Sequence, residues 1–397
     1  MRRKMRLLST TALGVLGLLG LAACASAPES TDSGSTGDGA ATSESSSESL
    51  EYDIALVRWD AGDIFFNGVQ AGEEQAIEQL AEMGVKVNFK VVAANDAGQQ
   101  IDGLRALMAQ GIDGVSLVPW RGDAMRDIVN ELTDDGIPVV VHNLTVPEQD
   151  VPFVAFDNVD AGRLAGDVIV ENLKESRGES LADGGVILIL RGDVTASFDR
   201  DRAEGLNAAF SELVAEYPNI EIVERSDLGY QAEPARKAVE DAITRYGADQ
   251  ILAVSSVDGT MAVGGTIPAL KAADLSVGPG DTPGNVPVSS IDCSRPELDS
   301  INAGELTHCS QQPAIAEGVL VQYLLYDMIS NGSTTPSENV LDLIEGWDEV
   351  PWGPVTVESR DDISGPWYRT NAFAVPSVVP VENPFNWADA AANLGGS

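Results

Sequence analysis

From Tyr52 onward, short apolar runs alternate with stretches of helical periodicity. Residues 54–57 form an uninterrupted apolar run, the mark of a strand buried on both faces. A helix is predicted from about 64 to 83 and a strand over 86–93. Ile101, Leu104, Leu107 and Met108 then recur at helical spacing, and 114–118 reads as a strand. Met125, Ile128, Val129 and Leu132 occupy i, i+3, i+4 and i+7 of an amphipathic helix, and 137–141 is the fourth strand. Further strands are predicted at 151–156, 186–190, 220–223, 251–255 and 286–291. Helices fall between them at 161–173, 200–217, 234–246 and 260–273, and 276–287, rich in Gly and Pro, is a surface loop. Regular βα alternation implies parallel, doubly wound sheets. Eight or more such units exceed one comfortable sheet, so an α/β chain with two doubly wound parallel-sheet lobes is expected.

The N-terminal stretch has a different pattern. Arg2, Arg3, Lys4 and Arg6 precede an apolar run at 7–21, too short for an ordinary membrane span, which ends in Leu21-Ala22-Ala23-Cys24. That order reads as a bacterial lipoprotein signal over 1–23, cleaved before Cys24, whose thiol would carry diacylglycerol. Residues 25–49 are almost all Ser, Thr, Gly, Ala, Asp and Glu, a composition that cannot offset its ordering entropy. A lipidated Cys24 and a solvated tether over 24–50 are expected, placing the body on the extracytoplasmic face of a membrane. Two further cysteines remain. Cys293 follows the run at 286–291, and Cys309 lies in a short strand at 306–310. Outside the cell two thiols tend to pair, and neighbouring strands bring Cα atoms within disulfide range. Two free buried thiols are the alternative.

Composition narrows the function. Of 397 residues, 44% are hydrophobic, enough for real cores, and 62 Asp and Glu against 24 Lys and Arg leave a net charge of −38. Such a surface repels phosphate backbones, so no nucleic-acid partner is expected. The chain has no G-x-x-x-x-G-K-[ST], H-E-x-x-H or G-x-S-x-G, and His142 and His308 are its only histidines. No enzyme, cofactor or metal site is therefore predicted, although a carboxylate pair for glycoside hydrolysis stays open in so acidic a chain.

In doubly wound sheets ligands bind at the carboxyl ends of strands. The predicted ends carry Trp59 and Asp63-Ile64-Phe65-Phe66, Trp120-Arg121, His142-Asn143, Asp157-Asn158, Asp193 and Phe198-Asp199-Arg200. Later ends carry Tyr230, Asp258, Asp292 and Gln311-Gln312. Carbohydrate recognition needs this mixture. Aromatic faces cover the C–H face of a sugar ring, and planar Asp, Asn, Gln and Arg groups grip its hydroxyls.

The ordered set Asp63-Ile-Phe65-Phe66, Ile137-Pro138-Val-Val-Val141, Asp157-Asn158-Val-Asp-Ala-Gly162 and Arg200-Asp-Arg202-Ala-Glu204-Gly205, with late Asp292 and Gln311, resembles a known family. It is similar to type I periplasmic binding proteins of the ribose/galactose class, the substrate-binding subunits of sugar ABC importers. The likeness runs from about 52 to 332. It implies two lobes, 51–157 plus 312–362 and 158–311 plus 363–397, joined by a three-segment hinge near Asp157, near Gln311 and after about Ile363. Carried over by position, it implies a polar residue at Asp63, stacking aromatics at Phe65 and Phe66, a hydroxyl-binding Arg200, an aromatic Tyr230 and polar contacts from Asp258, Asp292 and Gln311. His142 and Asn143 stand where the family has Asp-Arg, and Val257 where it usually has Asn. These three are the candidate specificity positions. Trp120 joins the set from its strand end.

The tail from 346, with Trp347, Trp352, Trp367, Tyr368, Phe385 and Trp387, looks more like that of binding proteins for the furanosyl signal autoinducer-2; packing on the lobes is its plainer role. The resemblance implies a monomeric, lipid-anchored binding protein that hands a monosaccharide or small polyol to an ABC permease. The alternative is a binding protein for a furanosyl signal or a sensory sugar receptor. A DNA-binding regulator shares the fold, but the signal, the charge and the lack of a helix-turn-helix before Tyr52 argue against it.

Overall fold

The computed structural model describes residues 50–59, 64–280, 284–344, 346–347 and 349–375. The expected signal, Cys24, the tether, Asp63, Phe385 and Trp387 lie outside the described residues.

In the first lobe β1 (Leu50–Arg58), β2 (Val85–Ala93), β3 (Gly114–Leu117), β4 (Val139–His142) and β5 (Phe153–Phe156) alternate with α1 (Ile64–Glu82), α2 (Ala97–Met108) and α3 (Arg126–Asp134). Every residue of β3, β4 and β5 is buried, as parallel strands covered on both faces require. The second lobe repeats the plan with α4 (Asn158–Arg177), β6 (Gly185–Leu190), α5 (Ser197–Glu216), β7 (Ile220–Arg225), α6 (Ala232–Tyr246) and β8 (Ile251–Ser256). It continues through α7 (Ile267–Ala272), β9 (Val288–Asp292), α8 (Arg295–Asn302) and β10 (His308–Gln311). The chain then returns to the first lobe, where α9 (Ala314–Asn331) packs on α1.

Three short strands finish the sheets: β11 (Thr356–Glu358), β12 (Trp367–Thr370) and β13 (Phe373–Val375). The first sheet runs β11-β12-β5-β4-β3-β1-β2 and the second β13-β10-β9-β8-β6-β7. All pairs are parallel except β11 on β12 and β13 on β10. Leaving out the late strands, both lobes follow one doubly wound order, with the first strand between the second and third. Two α/β lobes with parallel sheets are thus the fold, as the alternation implied.

Three segments cross between the lobes. The first is Asp157, which caps α4 by accepting from the Asp160 amide at 2.9 Å. The second follows β10 at Gln312. The third lies at Asn371–Ala372, between β12 and β13, later than the expected position after Ile363. Trp367–Thr370 belongs to the first sheet because it pairs with β5, Trp367 opposite Phe153 and Thr370 opposite Phe156, and the Trp367 indole donates to Ala155 O at 2.9 Å. The first and third crossings are tied together. Arg369 Nη1 lies 2.8 Å from Asp157 Oδ2, and the Asp157 amide donates to Thr370 O.

Two further details differ from the pattern reading. The helix expected over 260–273 is a π-helical turn, Thr260–Thr266, followed by α7. Pro268 sits in the first turn of α7, where it removes one donor from the continuous helical stretch, and the hydrogen-bond register changes just before it. Trp347 packs on the first lobe's core and Trp352 on the second's, with ring centroids 6.3 Å apart. The described tail aromatics therefore serve packing. Cys293 and Cys309 form a disulfide with Cα atoms 5.4 Å apart. Among the described residues no helix is long and apolar enough to cross a membrane.

Candidate functional site

The carboxyl ends of both sheets face a cavity of about 910 Å³ lined by both lobes. Its size lies within the range of ligand sites that enclose small molecules.

The first lobe supplies an aromatic wall. Phe65 and Phe66 open α1 with their rings edge to face at 5.3 Å. Trp59, just after β1, lies 5.4 Å from Phe66 and 4.6 Å from Trp120, and its indole donates to Pro119 O at 3.1 Å. These offset contacts are the arrangements aromatic quadrupoles favour. Gln100 fixes the wall from behind. It is fully buried on α2, and its Nε2 lies within hydrogen-bond distance of Arg58 O, Ala94 O and Val118 O, the ends of three strands. Its Oε1 accepts from the Trp120 amide at 2.8 Å. One amide thus sets β1, β2, β3 and Trp120 in a common frame. The sequence signal was a polar residue on the apolar face of a helix.

The second lobe adds aromatics and most of the charge. Phe198 and Tyr230 lie 5.4 Å apart, and Tyr230 is 6.4 Å from Trp59 across the cavity. Gly192 lets the Tyr230 ring lie against the backbone: a Cβ there would come within 2.0 Å of it. Burial beside Asp199 holds the Tyr230 hydroxyl well above the usual phenol range. Asp199 accepts from the Gly192 amide at 2.8 Å and from Arg191 Nε at 2.7 Å, shaping the loop between β6 and α5.

Arg202 dominates the floor. Its Nη1 lies 3.1 Å from Asp292 Oδ1 and donates to Val257 O at 2.8 Å. Nε donates to Asn158 Oδ1 at 2.8 Å and Nη2 to Gln312 Oε1 at 2.9 Å, while the guanidinium lies 4.9 Å over the Phe198 ring. Gln312 passes the network across the hinge. Its Nε2 reaches Asn143 Oδ1 at 3.1 Å and Glu317 Oε2 at 2.8 Å. Glu317 is also 2.9 Å from His142 Nε2 and accepts from Thr370 Oγ1 at 3.0 Å. Burial raises the Asp292 carboxyl, opposed by the neighbouring Arg202. Glu297, beside it, is pushed up to about 7 by burial and then by the Asp292 charge.

Asn143, Tyr230 and Asp292 have φ of 63°, 57° and 122°, in the region L side chains rarely adopt. All three line the cavity. Each such residue costs roughly 1–3 kcal/mol and persists only where its surroundings hold it.

Of the residues singled out in the sequence, the structure places Phe65, Phe66, Trp120, Asn143, Arg200, Tyr230, Asp258 and Asp292 on the cavity. Asp63 lies outside the described residues. His142 and Gln311 are fully buried and do not line it. His142 stacks behind Phe65 at 6.4 Å, and Gln311 pairs within the second sheet, opposite Asp292 and Phe373. Gln312, one residue on, takes the hinge position. Arg200 is exposed and donates to Thr195 O at 2.7 Å, whereas Arg202 carries the buried contacts. At 100° per residue the two point about 200° apart around α5, which is why one faces solvent and the other the floor. Val257 buries its side chain in the second lobe's core and offers its carbonyl to Arg202. Asn143 is therefore the one of the three specificity candidates whose side chain is placed on the cavity. Trp59, Asp193, Phe198 and Gln312, which the sequence placed at strand ends without assigning them a contact, line it too, as does Arg202.

A two-lobed α/β chain with a mixed aromatic and polar interlobe cavity has the architecture of a solute-binding protein, and the chain belongs to the periplasmic binding protein domain family, which matches residues 54–333. It is 24% identical over 227 residues to the xylitol-binding protein of Mycolicibacterium smegmatis, a match covering 57% of this chain and 58% of that protein. It is 26% identical over 318 residues to the D-xylose-binding periplasmic protein of Haemophilus influenzae, covering 78% and 85%. Among solved structures, a carbohydrate transporter solute-binding protein from Agrobacterium radiobacter in complex with D-arabinose superposes with a TM-score of 0.63 at 20% identity, covering 86% of this chain and 98% of that one. These relatives carry the names of binding proteins rather than of enzymes.

Proposed function

We propose that this chain captures a monosaccharide or small polyol between its lobes and delivers it to an ABC permease, held at the extracytoplasmic face by a lipid on Cys24. The observation that carries the binding step is the pairing of an aromatic wall with a largely buried Arg202–Asp292 ion pair on the opposite lobe. A sugar ring laid on the aromatics presents its hydroxyls to both charged groups, and charge-assisted hydrogen bonds of this kind are the strong ones. Ligand touching both lobes favours the closed arrangement by its differential affinity, and the permease would read that shape. The names of the relatives support the substrate class; the order of basic head, apolar run and Leu21-Ala22-Ala23-Cys24 supports the anchor.

Thermal-shift screening of the purified protein tests the reading, since a ligand that binds the native state raises its melting temperature. D-xylose, xylitol, D-arabinose and myo-inositol form the first panel, with galactofuranosides and furanosyl signals as the second. A rise with the first panel supports uptake of a sugar or polyol. A rise with the second panel alone replaces it with the signal-binding alternative, and no rise in either removes the sugar assignment. Alkynyl palmitate incorporated by the wild type and lost in Cys24→Ala tests the anchor.

A further inference from the structure

The strained backbone at the end of β9 needs something to hold it. Asp292 has φ 122° and Cys293 φ 59°, two consecutive non-glycine residues in a region their side chains disfavour. This geometry turns the Asp292 carboxylate toward Arg202 Nη1 at 3.1 Å and the Gly259 amide. The second strained residue is itself one end of the disulfide. Its partner, Cys309, lies on the neighbouring strand β10, and both sulfurs belong to fully buried residues. In the same register Gln311 stands opposite Asp292, and Gln312 follows with its hydrogen bond to Arg202 Nη2. The cross-link therefore ties the residue that follows Asp292 to the strand that leads into Gln312, and both Asp292 and Gln312 are partners of Arg202.

We propose that the Cys293–Cys309 disulfide is a positioning pair for the binding site: it pins the end of β9 so that the Asp292 carboxylate stays aimed at the ligand and at Arg202. The inference rests on the sugar-binding reading above. A bond serving stability alone would lower the melting temperature of the protein without acting through Asp292.

A double-mutant cycle separates these cases. Wild type, Cys293→Ala/Cys309→Ala, Asp292→Asn and the triple variant are titrated calorimetrically with D-xylose and, where wild type does not take it, with xylitol, D-arabinose and myo-inositol in turn. Positioning predicts that the disulfide variant binds at least tenfold more weakly, and that in the Asp292→Asn background its loss changes affinity less than twofold. Equal affinity in the disulfide variant, or independent multiplication of the two losses, overturns the inference while leaving the sugar reading intact. Wild type that binds none of the four sugars takes down both. Cys293→Ala/Cys309→Val restores buried volume should the first variant not fold. A crystal structure of either variant gives a second readout. Asp292 should leave positive φ with its carboxylate drawn away from Arg202; an unmoved Asp292 overturns the proposal.

Discussion

Arg202 Nη1 stands 3.1 Å from Asp292 Oδ1 in the floor of the cavity, with the Arg202 side chain buried and that of Asp292 14% exposed toward the cavity. Deleting the guanidinium leaves a largely buried carboxylate uncompensated, a loss of up to about 3–5 kcal/mol. Arg202→Ala should therefore lower unfolding stability by that order in urea and weaken ligand binding at least a hundredfold. Arg200→Ala removes an exposed guanidinium, so its stability should stay within about 0.5 kcal/mol of wild type. Equal losses in the two variants, read by urea unfolding and calorimetric titration, would show that α5 is not phased as described.

Trp59 and Trp120 lie 4.6 Å apart on the same wall, so ligand packed there should change their emission. Trp120→Phe keeps an aromatic surface and should lose much of the fluorescence change while keeping affinity within a few-fold. Trp120→Ala removes the surface and should cost about tenfold, roughly 1.4 kcal/mol. A fluorescence change that survives intact in both variants would place the ligand elsewhere.

The sequence reading reached the lobes because fully buried parallel strands write themselves as continuous apolar runs, as over 139–141 in β4 and 251–254 in β8. It missed β11, β12 and β13, which have three or four residues each and take their pairing from the sheets they join. At the site, Phe65 and Phe66 were legible because they open the helix that follows β1, where the family resemblance has its aromatic pair. Two other positions were displaced by small steps. Gln311 and Gln312 are adjacent, but side chains alternate along a strand, and the one just past β10 reaches the hinge. Arg200 and Arg202 share a helix turn, and only the helix's rotational setting against the sheet decides which is buried. That setting comes from close packing of α4 on α5, where a Cβ on Gly205 would come within 2.0 Å of Val159 O.

Arg360, on the segment between β11 and β12, reaches Asp201 at the start of α5 with Nη2–Oδ2 at 3.0 Å. The pair joins the first lobe's edge to the second lobe, and Arg360 lies 5.0 Å over the Trp367 ring. Asp362 on the same segment accepts from Thr145, a residue of the cavity lining, at 2.9 Å. Arg360→Met keeps the packing stem and loses the bridge, so the lobes should separate more readily. Solution scattering of the ligand-free protein should show a larger radius of gyration, and affinity should fall several-fold. Asp201→Asn should act in the same direction. An unchanged scattering profile in Arg360→Met would mean the pair does not restrain the lobes.

Glu73 on α1 is fully buried among β3 and α9, and burial pushes its carboxyl from an ordinary 4.5 up to about 7 despite donors from Ser116 Oγ and Gln322 Nε2, both at 2.7 Å. A carboxyl whose folded pKa lies above its unfolded value favours the fold while protonated. Its contribution is complete below about pH 4.5 and is lost as pH rises through 7, on the order of 3 kcal/mol for a shift of this size. The wild-type urea midpoint should therefore decline between pH 5.5 and 8 in part through this one group. Glu73→Gln removes the titration. Its amide can also donate to Gln322 Oε1, which is buried without a hydrogen bond among the described residues, once the Gln322 amide is turned over. The variant should match wild type at pH 5.5 and exceed it at pH 8. Parallel declines in the two proteins would show that Glu73 keeps one protonation state across this range.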